Sequence, residues 1–256
     1  MAERAGFERE FMASIIGRGG LLDRFFYFGM SLVIATVVVY GFSHTVDANL
    51  IHAAVPRPIL LYFHAAVFSG WLLFFISQSL LVRTRNVRWH RSVGWFGVAL
   101  GASIPVLGLA TSIVMTRFQL VRLHAIEDAV TDLIAPFFDM VSFAILFALA
   151  IYWRKKAEIH RRLLLIASCV LTSAAFSRFP PEMLPSWPGM LVFICFYAGV
   201  DVLILMGVVR DLIVQRRIHR VYLYALPALI SVQTIVVYLY QWNWPLCVKI
   251  THAVVG

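Results

Sequence analysis

Apolar and polar residues are segregated along this chain, not interleaved. Seven mainly apolar blocks, at about 25–46, 58–82, 95–115, 133–153, 163–179, 190–209 and 221–242, are separated by short polar or proline-containing connections. A helix needs about 20 apolar residues to cross the hydrocarbon core of a bilayer. The blocks are continuous runs without the period-2 alternation of a membrane barrel, so they predict helices. The pattern predicts an all-α, polytopic transmembrane helix bundle of about seven spans. Residues 1–24 form an N-terminal segment, 25–242 the membrane domain and 243–256 a short outer tail.

Composition agrees. The mean hydropathy is +0.83, with 61% hydrophobic and 14% charged residues, against about 25% charged in soluble domains. The net charge of +9 could suggest nucleic acid, but its distribution points elsewhere. With the N-terminus inside, 17 of the 22 Lys and Arg fall in the N-terminal segment and in the connections near 83–91, 154–162 and 210–220. Only Arg57, Arg117, Arg122, Arg178 and Lys249 fall outside. This is the positive-inside asymmetry, which orients the N-terminus to the cytoplasm. The implied partner of the basic charge is the bilayer's anionic headgroups, not nucleic acid.

The first 24 residues are too charged for a signal peptide. Phe7, Phe11, Ile15 and Ile16 make an apolar stripe that reads as an interfacial helix on the inner leaflet. Cys169, Cys195 and Cys247 have no metal-type spacing and read as inert small hydrophobes. Pro105 and Pro136 fall inside the third and fourth blocks, where each would kink a helix.

Four histidines stand at ends of consecutive spans: His64 outer, His90 inner, His124 outer and His160 inner. His90 and His160 both precede arginine at an inner boundary, two spans apart. The alternation suggests two pairs at two depths, His64 with His124 and His90 with His160. Two facing imidazoles can fill both axial positions of a haem iron, an arrangement suited to electron transfer. On the face of His90 lie Gly94, Gly97, Gly101 and Gly108; on that of His160 lie Ala167, Leu171, Ala174 and Arg178. Such small-residue stripes suit a flat macrocycle, and equally serve close helix packing.

By these histidines and their topology, the segment from His64 to His160 resembles the transmembrane di-haem b-type cytochromes of the ascorbate-reducing class. The resemblance implies haem b as cofactor, held outside by His64 and His124 and inside by His90 and His160. The chain departs from that class in having a seventh span, and His124 sits early, in an acidic stretch. The string from Phe63-His64 to Trp71, followed by Gln78 and Trp89-His90-Arg91, is also similar to bacterial multi-pass membrane proteins of no assigned function. The expectation is a bacterial inner-membrane protein passing electrons through b-type haem.

The acidic residues open other readings. Glu127, Asp128 and Asp132 follow His124, while Asp139 and Asp201 lie within spans four and six. Carboxylates inside a bilayer are costly and are candidates for function. Asp139 and Asp201 could carry protons or cations in a coupled transporter; His124, Asp128 and His64 could hold a divalent metal. Alternatively Asp139 pairs with Arg178 to fix helix register. A seven-span hydrolase would be expected to offer a late His-x-x-x-His, which is absent. Phosphate loops, nucleophile elbows and dinucleotide fingerprints are absent too. A non-enzymatic subunit or assembly factor, within a larger membrane complex or homo-oligomer, is the third reading.

Overall fold

The computed structural model describes residues 2–122, 133–183 and 193–241, with 249 and 253. Among these residues every element is helical. The longer ones are α1 (Ala2–Ser43), α2 (Ile59–Arg83), α3 (Val87–Arg122), α4 (Ile134–Tyr152), α5 (Ala157–Val170), the one-turn α6 (Ser173–Phe176), α7 (Gly199–Gln215) and α8 (Arg220–Gln241). π-Helical turns occupy Asp47–Ile51 and Ile194–Ala198.

Six described helical segments are long and apolar enough to cross a membrane: Leu22–Ser43, Ile59–Arg83, Val87–Arg122, Ile134–Tyr152, Ala157–Phe176 and Arg220–Leu239. The chain is therefore a multi-pass helical membrane protein. Its large apolar side chains point outward as well as inward, as a lipid solvent allows: Ile59, Leu73 and Val106 are each more than 60% exposed. The sixth apolar block differs from expectation. Its described part is divided between the Ile194–Ala198 π turn and α7, and α7 carries Asp201, Arg210 and Asp211.

Two local expectations change. α1 continues unbroken from Ala2 into the first span, so no separate interfacial helix precedes it; the side chains of its apolar stripe lie outside the described residues. Pro136 falls in the first turn of α4, where its missing N–H would have had no helical partner, so it kinks nothing. Pro105 does lie inside α3, and a further proline, Pro227, inside α8.

The packing places α5 at the centre. It contacts α1, α4, α7 and α8, whereas α2 packs on α1 and α3. Every residue from Leu165 to Val170 is buried. Trp71 of α2 meets Phe143 and Phe147 of α4 edge-on at 5.6 Å each, and those two rings stack on one another. At Gly41 the backbone of α1 touches α6: an added Cβ would lie 2.3 Å from the Ala175 carbonyl oxygen. Close backbone approach through a small residue is the usual packing device where lipid gives no hydrophobic drive between helices.

Candidate functional site

The turns that join α2 to α3, α4 to α5 and α7 to α8 lie at one end of the bundle, the basic end. There α3 and α5 each begin with a histidine in the first turn, His90 and His160. The two rings face one another with centroids 6.4 Å apart and planes at 71°. His160 Nδ1 lies 2.8 Å from the Ala150 carbonyl, so that nitrogen carries the proton and Nε2 keeps its lone pair. Metal-ligating histidines are commonly held this way, by a backbone carbonyl on the second nitrogen. Nδ1 of His90 is buried without a partner, and so are both amide atoms of Gln78 on α2. Phe74 lies against Gly97, and following the antiparallel pair toward its turn brings Gln78 level with the first turns of α3.

An ion bound at about 2 Å by one nitrogen of each ring would hold the centroids about 6 Å apart. The separation of the His90 and His160 rings is thus of the size that two imidazoles sharing one ion would have. Gly94 leaves room beside them, with nothing within 4 Å of a built Cβ. Farther along α3 the glycine stripe is filled. Phe74 occupies the place of a Cβ at Gly97, Phe147 at Gly101 and Met140 at Gly108. Of the two uses open to the glycine stripe, close helix packing holds along α3 beyond its first turns.

His64 lies apart from this pair. Its ring stacks on Phe68 at 4.0 Å, and its Nδ1 is buried without a partner. His124, its expected mate, lies outside the described residues, as do Glu127, Asp128 and Asp132. Among the described residues no three His, Cys, Asp or Glu side chains converge as a metal site.

Toward the opposite end, Asp139 is 9% exposed and accepts a 2.5 Å hydrogen bond from Ser173 Oγ. The expected partner, Arg178, is engaged elsewhere. It donates to the Ala174 carbonyl and lies over the Phe42 ring at 4.5 Å. The reason is geometric: the helix is interrupted at Leu171 and Thr172, between α5 and α6, and Ser173 beyond the interruption meets Asp139 of α4. Asp201 accepts from Gln233 Nε2 at 2.9 Å, tying α7 to α8.

One buried constellation escaped the sequence reading. Arg162, 0% exposed, donates Nε and Nη2 to Asp211 Oδ2 and Oδ1 at 2.9 and 2.6 Å; Asp211 is itself 0% exposed. The third nitrogen of Arg162 reaches Glu158 Oε2 at 2.6 Å. Arg210 binds Asp211 Oδ1 at 2.7 Å and also Asp23 of α1. Arg161 pairs with Glu158 at 2.7 Å and lies over Tyr27 at 4.9 Å. Three arginines and three carboxylates thus join α1, α5 and α7. Counted only as boundary charges, Arg161, Arg162 and Arg210 gave no sign of this role. The adjacent opposite charges Arg210-Asp211 at the end of an apolar block, and Glu158 three and four residues before two arginines, were the available signal.

No protein-family model, no curated protein and no solved structure matches the chain.

Proposed function

We propose that the protein binds one b-type haem between His90 and His160 and passes electrons in the inner, cytoplasmic membrane of a bacterium. In this reading the residues of block 190–209 complete a seventh span, and the N-terminus and basic end face the cytoplasm. Arg161, Arg162 and Arg210 are neutralised by carboxylates, yet the remaining Lys and Arg still favour that orientation.

The observation that carries the reading is the meeting of the two imidazoles, from helices 70 residues apart in the chain, at a spacing suited to one ion. The chain's own contribution is positional. Ala150 fixes the tautomer and ring direction of His160, and both amide atoms of Gln78 on α2 are buried without a partner. The haem, when bound, would supply one-electron redox chemistry, and two imidazole ligands would leave no open iron position. The pair His64 and His124 is not included: His64 stacks on Phe68, and Met140 and Phe68 crowd Gly108.

The test is reconstitution of the purified full chain with haem. One haem per chain is expected, with a Soret band that shifts on reduction by dithionite. His90→Ala and His160→Ala should each abolish it, and His64→Ala should retain it. Absence of stoichiometric haem from folded protein, or equal retention in the His90 and His160 variants, contradicts the proposal.

A further inference from the structure

Two irregularities in the helices meet at one carboxylate. The break after α5 delivers Ser173 to Asp139, and the π turn Ile194–Ala198 delivers Tyr197 to the same place. π turns inside helices recur at functional sites, and interrupted helices are tolerated at membrane depth only where protein or a cavity receives the freed polar groups. Here both conditions are present. A cavity of ≈ 10 Å³ is lined by Asp139, Ser142, Tyr197 and Gln233 on its polar side and by Val170 and Val200 among its apolar walls. That is room for about one water-sized occupant.

The polar groups around it do not all satisfy one another. Tyr197 is 3% exposed and Gln233 4%. The Tyr197 hydroxyl faces the Asp139 carboxylate, and Gln233 Oε1 has no partner. Gln233 is not free to turn: its Nε2 is held by Asp201 at 2.9 Å. Asp201, as a carboxylate, can only accept, so it selects the amide face and leaves Oε1 as the atom Gln233 can offer. The lining contains oxygen acceptors and no basic side chain, and Arg178 is turned away onto Phe42. A buried carboxylate without a counter-charge is expensive in a bilayer.

We infer that this cavity binds one small monovalent cation of the sodium type, held by the Asp139 carboxylate and the oxygens of Ser142, Tyr197 and Gln233. A single carboxylate balances a single positive charge. A divalent ion would call for more charge and six to eight oxygens. Asp201 acts as a positioning residue through Gln233. The inference is independent of the histidine pair.

The experiment is thermal unfolding of the purified full chain in detergent, with NaCl replacing N-methylglucamine chloride at constant ionic strength. A ligand bound only by the folded state raises Tm progressively with its concentration. The expected result is a sodium-dependent rise in wild type that is absent in Asp139→Asn. Tyr197→Phe should raise the half-saturating sodium concentration about tenfold, the scale of one lost contact to a charged group. Asp201→Asn, which frees the Gln233 amide to flip, should also raise it, and keeps the test available if Asp139→Asn fails to fold. A wild-type Tm that ignores sodium, a response equal for potassium and sodium, or a sodium response unchanged in these variants overturns the inference. The first outcome would mean that the cavity holds water or a proton.

Discussion

Removing one member of the Arg162–Asp211 pair leaves a charge in a site that is 0% exposed. Breaking a buried pair on one side costs about 3–5 kcal/mol, whereas replacing both partners by apolar residues of similar volume can be nearly neutral. Arg162→Met should therefore destabilise by that amount in detergent unfolding experiments. The double variant Arg162→Met with Asp211→Leu should recover part of the loss. Its full recovery is limited because Glu158 and Arg210 each lose a partner too. At the basic end, outside the spans, His219 caps α8 by accepting the Val221 N–H on Nδ1 at 3.2 Å. Burial first, and then the positive charge of Arg162, holds its pKa below the usual 6.5. The unfolded chain therefore binds this proton more readily, and stability is fully present above about pH 6.5 and falls as pH drops below it. Loss of a helix N-cap is worth about 1 kcal/mol. A His219→Asn variant, which caps without titrating, should lose less stability than wild type between pH 7 and pH 5.

At the scale of the element, packing depends on glycines, and at Gly41 an added Cβ would meet backbone. Gly41→Val would drive a side chain into the Ala175 carbonyl, while Gly29→Ala meets nothing within 4 Å. The first should markedly lower the unfolding temperature and the second should leave it nearly unchanged. The glycine stripe of α3 was visible in the sequence, but its use was not. A 3.6-residue spacing puts Gly97, Gly101 and Gly108 on one face; it cannot say whether a cofactor or Phe74, Phe147 and Met140 fills that face. Helix breaks were also hidden. Nothing in the residues around Leu171 and Thr172 compels an interruption, since neither is glycine or proline. The break coincides with a local bond from Thr172 Oγ1 to the Cys169 carbonyl and with a tertiary one from Ser173 Oγ to Asp139. The apolar blocks themselves were legible because the bilayer imposes a length that sequence must obey.

For the whole molecule, orientation and cofactor are the two expectations to be measured. The positive-inside asymmetry predicts that a cysteine placed at Lys155 or Arg217, in a chain freed of its native cysteines, reacts with an impermeant maleimide only in permeabilised cells. One placed at Asn49 should react in intact cells. The reverse pattern would invert the bundle. The closeness of the His90 and His160 rings was readable from two His-Arg boundaries two spans apart, because antiparallel helices entered from one side bring such positions to the same depth. The Asp139 environment was not readable, because membrane depth and charge alone match it with Arg178, whereas the break after α5 brings Ser173 to the carboxylate. The most direct test of the central claim is the absorption spectrum of the purified, haem-reconstituted chain before and after dithionite. A reducible Soret band at one haem per chain, lost in His90→Ala and in His160→Ala while both variants stay folded, is the predicted result. A folded wild-type protein with no haem absorption contradicts it.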